Sequence, residues 1–277
     1  MTTPAPDHTS KHGWALVTGA SAGLGVEFAR QLAARGHDLV LVARRAEPME
    51  ALAASLRQER GVRVEVIALD HGARPAGEAL EAALAQKQIE LELLVNNAGF
   101  GAHGAVLELS IDRSLQMVDL NVASLTDLAL RFGKKMVARG RGAIVNVASI
   151  GGFQPTPHFA VYGATKAYVV SFSASLAAEL RGTGVRALCC CPGPTRTEFN
   201  AAGGVTAYSP PFLEMTAERC VRITLRALDR GRWVIVTGWI NALIVFLSRR
   251  APLWLNTRVS AFSLRPAKGR LPPTAPG

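Results

Sequence analysis

Trp14 to Thr18 is a short apolar stretch that runs into Gly19-Ala20-Ser21-Ala22-Gly23-Leu24-Gly25 and then into a helical pattern through Phe28, Leu32 and Ala33. Strand, glycine turn and helix in that order constrain this chain more than any other feature. A glycine-rich turn gains chemical meaning in that context, because glycine permits both the tight turn and the close approach of a ligand to backbone. The helix that follows opens with unpaired N–H groups and the positive end of its dipole, a site suited to a pyrophosphate. Gly19, Ser21, Gly23, Leu24 and Gly25 are therefore candidate nucleotide-binding residues. Their spacing, Gly-x-x-x-Gly-x-Gly, departs from the usual Gly-x-Gly-x-x-Gly, so an ordinary turn is the competing reading of these residues alone.

The alternation continues along the chain. Strands are expected over Asp38 to Val42, Val62 to Ala68, Leu91 to Val95, Ala143 to Ala148, Val185 to Cys191 and Trp233 to Thr237. Helices are expected over Pro48 to Arg60, Pro75 to Lys87, Ile111 to Arg139, Phe159 to Arg181 and Thr216 to Asp229. Continuous apolar strands separated by helices imply an α/β fold, a doubly wound parallel sheet of about seven strands with helices on both faces. With 277 residues and 49% hydrophobic content, one core suffices. The expected organisation is a mobile N-terminal tail over 1–12, one catalytic domain over 13–238 and a C-terminal extension over 239–277.

In open α/β sheets ligands bind beyond the C-terminal ends of the strands, and the polar residues of this chain gather there. An NAD site would place a carboxylate at the end of the second strand to hold the ribose hydroxyls. None stands there. Asp38 begins that strand, six residues from Arg44, and so lies about 20 Å from it at ~3.3 Å per residue. Arg44, with Arg45 beside it, is instead placed to meet a 2′-phosphate, which makes NADP(H) the expected cofactor. A pair of solvated arginines at a helix entry is the alternative, and Ala22 lacks the basic side chain that some NADP-binding loops carry. Asp70, at the third strand end, is placed to contact the adenine. Asn97, Ala98 and Gly99 follow the fourth strand, where the amides of Asn96-Asn97 can tie strand ends together or touch ribose. Pro192, Gly193, Thr195 and Thr197 form a prolyl turn after the strand ending at Cys191.

The segment from Val147 to Lys166 carries a hydroxyl, a phenol and an ammonium. Tyr162 and Lys166 are four apart and share one helical face, and Ser149 ends an apolar strand. At an effective dielectric of ~20, a cation ~4 Å from a phenol would favour the phenolate by up to about 4 kcal/mol, roughly three pK units. That expectation makes Tyr162 a proton-exchanging group near neutral pH, with Ser149 holding a substrate oxygen. Tyr-x-x-x-Lys alone is weak, since half-buried tyrosines with a nearby lysine are common. Asn121, within an apolar helical face, is expected to bond its own helix backbone.

Other classes find little support. The three consecutive cysteines Cys189 to Cys191 alternate between sheet faces and cannot form an ordinary disulfide framework; with Cys220 they read as reduced core residues. The six histidines show no metal-ligand spacing. The formal charge is +10, of which eight charges fall from Arg230 onward, where there is no Asp or Glu. The body is near neutral, which argues against a nucleic-acid-binding protein. The start has no apolar h-region, so a cytoplasmic location is expected.

Five ordered signals then combine: TGASAGLG from Thr18, NNAG from Asn96, Ser149, YGATK from Tyr162 and PGPTRT from Pro192. Together they resemble the short-chain dehydrogenase/reductase family, over Trp14 to about Gly238. SASLAAELRGTGVR and CPGPTRTEF are most similar to a broad bacterial branch of NADP-type reductases. The resemblance implies a Rossmann fold in which Tyr162 transfers the proton, Lys166 lowers its pKa and holds the nicotinamide ribose, and Ser149 positions the carbonyl. It implies that Asn121 holds a water behind the lysine, that Thr197 meets the carboxamide, and that the loop from Ile150 to Phe159 lines the substrate. It also implies a homo-oligomer built on the helices from Phe159 and from Thr216. The activity expected is NADP(H)-dependent hydride transfer to or from a carbonyl or secondary alcohol; the alternative is an NADP(H)-binding sensor without turnover.

Two segments bear on the substrate and surroundings. Gly203-Gly204, Tyr208 and Pro210-Pro211, rimmed by Phe199, Phe212 and Met215, read as a lid over an apolar pocket, favouring a hydrophobic substrate. In the extension, Trp239 to Leu247 is about nine residues and too short to cross a ~30 Å hydrocarbon core. Leu255, Val259 and Phe262 recur at helical spacing, while Arg258 and Arg265 are charged. They suit either peripheral contact with anionic lipid or a cover over the pocket or an oligomer interface.

Overall fold

Each strand with apolar residues on both faces needs cover on both sides, and the chain supplies it by returning through a helix after each one. The computed structural model describes residues 12–70, 72, 76–197 and 213–265. In order these form β1 (Trp14–Thr18), α1 (Gly23–Ala34), β2 (Asp38–Ala43), α2 (Ala46–Arg60), β3 (Val64–Ala68), α3 (Ala76–Gln86) and β4 (Leu91–Asn96). Then follow α4 (Ile111–Val118), α5 (Leu125–Arg139), β5 (Gly142–Val147), α6 (Ala160–Glu179), β6 (Val185–Cys191) and β7 (Thr195–Arg196). The chain continues with β8 (Met215–Thr216), α7 (Ala217–Asp229), β9 (Val234–Val236), α8 (Trp239–Ser248) and α9 (Leu253–Ser263).

Seven strands make one sheet in the order β3-β2-β1-β4-β5-β6-β9, every pairing parallel. This is the doubly wound, Rossmann-type arrangement that the alternation implied. The period of two along each strand divides the core. Ala15 and Val17 of β1 pack with Phe28 of α1, Met49 of α2 and Leu225 of α7, whereas Leu16 faces Leu80 of α3, Leu128 of α5 and Ala177 of α6. Cys190 joins the first cluster, while Cys189 and Cys191 sit together on the other face; all four cysteines are free and buried. β1 neighbours both β2 and β4, so strand order reverses there and a crevice opens at the C-terminal ends.

Three local features differ from expectation. The helix expected to run unbroken from Ile111 to Arg139 contains a π-helical turn over Asp119–Ser124, centred near Asn121. β7 and β8 pair as a second, two-stranded sheet. The last strand keeps three residues of the five expected. Asp38, at the start of β2, accepts bonds from the Arg63 backbone N–H at 2.8 Å and from its guanidinium at 2.6 and 2.8 Å. That fastens the edge opposite the crevice.

Candidate active site

The crevice holds a cavity of about 910 Å³. At one end lies the glycine turn. Gly19 and Gly23 adopt left-handed backbone angles, φ +67° and +55°, and the Gly19 N–H donates to Val42 O at 2.8 Å, locking the turn onto β2. Gly25 faces away from the cavity: a Cβ there would stand 2.1 Å from Gly19 O, so glycine alone lets α1 pack this close. Ser21, Ala22, Gly23 and Leu24 bring the start of α1 to the cavity wall, with no acidic residue in its first turn to neutralise the dipole.

Beyond β1, Asn97 donates through Nδ2 to Thr18 O at 2.9 Å, and Thr18 Oγ1 accepts from the N–H groups of Asn97 and Ala98 at 3.0 and 2.9 Å. Deeper in, Asn96 Nδ2 donates to Asn146 Oδ1 at 2.9 Å, and Asn146 Nδ2 to Ser173 Oγ at 3.0 Å. The paired asparagines therefore tie strand ends together, one to β1 and one to β5. Arg44, Arg45 and Asp70 line the outer rim on the β2 and β3 side, all three exposed. Arg45 reaches back to Ser21 O at 3.4 Å, and Asp70 Oδ1 accepts from the Gly72 N–H at 3.0 Å.

Ser149, Tyr162 and Lys166 meet on the inner wall. Ser149 leaves β5 in extended conformation, and its Oγ accepts from the Gly151 N–H at 3.1 Å. Tyr162 and Lys166 stand one turn apart on α6, and Lys166 Nζ lies 5.7 Å from the centre of the phenol ring. That ammonium donates to Val147 O at 2.8 Å. Here the electrostatic expectation needs correcting. Burial pushes the Tyr162 phenol up to about 12, with a hydrogen bond from Ser149 opposing it. Burial likewise pushes Lys166 down to about 8, with the Cys189, Cys191 and Cys190 thiols acting the other way. Both charged forms are taken out of water, and desolvation is the largest effect on each.

Asn121 also departs from expectation. Fully buried in the π turn, it bonds across the structure rather than along its own helix: Oδ1 accepts from the Phe100 N–H at 3.1 Å, and Nδ2 donates to Phe100 O at 2.9 Å and Thr165 Oγ1 at 3.1 Å. It does not line the cavity. It backs Gly99, where a Cβ would meet Asn121 Oδ1 at 2.8 Å and Lys166 Nζ at 3.5 Å. On the far side, Pro192, Gly193, Thr195 and Thr197 all line the cavity, and a Cβ on Gly23 would lie 3.2 Å from that of Thr197. Of the sixteen cofactor candidates, only Gly25 stands outside the lining.

Residues 13–204 match the family described as short chain dehydrogenase. The chain is a short-chain dehydrogenase/reductase. Sulfoacetaldehyde reductase of Chromohalobacter salexigens is 40% identical over 199 residues, covering 70% of this chain and 78% of that protein. The NADPH complex of a short-chain dehydrogenase from Sphingobium yanoikuyae is 32% identical with a TM-score of 0.78, over 94% of this chain and 99% of that one. A bulky-bulky ketone specific alcohol dehydrogenase from Comamonas testosteroni is 32% identical with a TM-score of 0.74, over 87% and 93% of the two chains.

Some of this dehydrogenase's cavity was not foreseen. Thr18 ends an apolar strand and opens the TGASAGLG signal, but that its hydroxyl organises the turn after β4 is not written in either pattern. Ser263 and Leu264 line the cavity from the C-terminal extension, and His103 Nε2 lies 2.9 Å from Leu264 O. The proposed lid residues Phe199, Gly203, Gly204, Tyr208, Pro210, Pro211 and Phe212 lie outside the described residues; Met215, at its margin, is buried.

Proposed function

We propose that this short-chain dehydrogenase/reductase moves hydride between NADP(H) and the carbonyl or secondary alcohol carbon of a hydrophobic substrate. The observation that carries the reading is the convergence of Ser149, Tyr162 and the buried Lys166 on the wall of a cavity whose other end is a glycine turn. The residues fit a dinucleotide: backbone is bare at Gly19 and Gly23, and Arg44 with Arg45 stands at the rim where an NAD site would carry a carboxylate. When bound, NADP(H) supplies or accepts the hydride.

The chain's own residues do the rest. Ser149 and Tyr162 hydrogen-bond the substrate oxygen, and Tyr162 gives up its proton to it in the reductive direction. The phenolate left behind is buried, so it needs a charge near it. Lys166, with its pKa at about 8, remains mostly protonated at pH 7 and provides that charge. Asn121 acts by position, joining the Phe100 loop to α6. Phe100, Leu120, Ile150, Phe159 and Leu264 line the cavity, and among the described lining residues Lys166 is the one cation away from the Arg44–Arg45 rim. This favours an apolar ketone or aldehyde over a sulfonated aldehyde of the kind named for the Chromohalobacter relative.

NADPH oxidation followed by absorbance across a panel of aldehydes, steroid ketones, bulky aryl ketones and 3-oxoacyl thioesters tests this reading. Turnover is expected on apolar carbonyls, and Tyr162→Phe is expected to lower it by about 10²- to 10⁴-fold while nucleotide binding is kept. Equal turnover by the variant would remove Tyr162 from the chemistry.

A further inference from the structure

Helices α8 and α9 are inside out. α8 buries Asn241 (3% exposed), Val245 and Ser248, while Trp239 (75%), Leu243, Phe246 and Leu247 face outward at helical spacing. α9 buries Ser260 (4%) and exposes Leu253, Trp254, Val259 and Phe262 (77%). The inward side makes local bonds: Asn241 Nδ2 donates to Thr237 O at 3.0 Å, Ser248 Oγ to Val245 O at 3.1 Å, and Asn256 Nδ2 to Ser248 O at 2.5 Å. A helix facing water carries the opposite pattern.

Charge identifies what this face meets. Arg249, Arg250, Arg258 and Arg265 are exposed on and around it. The Arg250 guanidinium lies 3.5 Å from the centre of the Phe246 ring, and that of Arg258 lies 5.6 Å from Trp254. From Arg230 to the end the sequence has no Asp or Glu. Two copies packed through this face would set cation against cation, whereas an anionic bilayer satisfies both the apolar side chains and the arginines. Among the described residues no helix is long and apolar enough to cross a membrane, so the contact is a lateral one. We propose that α8 and α9 dock this protein on an anionic lipid surface, with Trp239, Phe246, Trp254 and Phe262 in the headgroup–acyl boundary and the arginines among the phosphates. Ser263 and Leu264, at the end of α9, line the active-site cavity, so the docked face adjoins its wall. The inference stands on the surface alone and does not depend on the hydride-transfer reading.

The test is co-sedimentation of the full chain with phosphatidylcholine vesicles containing or lacking phosphatidylglycerol, at low and high salt. Binding to the anionic vesicles is expected, weakened by salt, with a blue shift of tryptophan emission. Arg249→Gln/Arg250→Gln/Arg258→Gln is expected to weaken it roughly fivefold per arginine, on the order of a hundredfold in all. Trp254→Ser/Phe262→Ser is expected to weaken it as well; all five positions are exposed, and circular dichroism and melting temperature verify that both variants fold. Three outcomes overturn the proposal. The parent stays in the supernatant at low salt; or the Trp254/Phe262 variant binds like the parent, leaving simple charge attraction; or that variant splits an oligomer while no form binds vesicles, making the face a self-interface.

Discussion

Lys166→Met keeps an unbranched side chain one atom shorter and removes its charge, and its effect on stability depends on pH in a way fixed by burial. In the fold the ammonium titrates at about 8, against 10.5 for an unperturbed lysine. Holding it charged at pH 7 therefore costs about 3 kcal/mol. The sign follows from the lowered folded pKa. Between about pH 8 and 10.5 the unfolded chain binds the extra proton, so this lysine's penalty fades as pH rises and returns in full as pH falls through 8. Tyr162, raised to about 12, works oppositely above pH 10, and the raised Cys190 and Cys191 thiols do so from about pH 9. The parent's own curve thus mixes several groups, and the difference between parent and variant isolates Lys166 together with the part of the Cys191 shift that Lys166 opposes. Urea unfolding of cofactor-free, reduced protein at pH 7, 8.5 and 10, followed by circular dichroism, should show the parent gaining about 2 kcal/mol on Lys166→Met across that range. Loss of the bond to Val147 O displaces the variant by a constant and leaves the slope alone. Parallel curves would mean that Lys166 titrates in the fold as it does in water, and the burial argument would fail.

Two further outcomes follow from the glycine turn and the rim. Arg44→Asp should cut the preference for NADPH over NADH by about ten- to hundredfold, the worth of one charge-assisted hydrogen bond; titration of both nucleotides reads this, and an unchanged ratio would place the 2′-phosphate elsewhere. Gly25→Ala should destabilise the protein by about 3 kcal/mol, because the new Cβ meets the backbone oxygen of Gly19 at 2.1 Å and not a movable side chain. A melting temperature within a degree of the parent would show that α1 can withdraw from the turn without penalty.

The sheet was legible because burial on both faces leaves long apolar runs, and because β1 leads straight into glycines whose conformation few other residues adopt. Arg44 and Asp70 were legible by position alone, since a strand end fixes where a side chain emerges. Asn121 was not. Its expected bond to its own helix rested on a regular i to i−4 pattern, and the π turn breaks that pattern, bringing the amide within reach of Phe100 and Thr165. Thr18 was passed over for a similar reason: its hydroxyl serves the turn after β4, some eighty residues away in sequence. The Tyr162–Lys166 pair failed in sign, not in placement. Spacing on α6 puts the two groups side by side, but a pairwise attraction at a dielectric of ~20 suits partly solvated charges. Both groups are buried, and desolvation acts on each before either acts on the other.

The C-terminal extension shows where periodicity stops being informative. Leu255, Val259 and Phe262 recur as an apolar stripe, and a stripe reports only which residues share a face, not what that face meets. Three readings are open to it, a cover for the pocket, an oligomer interface or a surface for lipid. The structure divides them along a single helix: the residues just past α9, Leu264 foremost, reach the cavity, while the stripe itself points outward beside Arg258. The inward side of α8 and α9 carries Asn241, Ser248, Asn256 and Ser260; Asn241 and Ser248 bond carbonyls of their own stretch of chain, and Asn256 ties α9 to α8 through Ser248 O. The wide apolar residues are left over from that contact. An extension that turns its asparagine and serines inward and keeps its tryptophans outside has its hydrophobic surface available for something other than this domain's core.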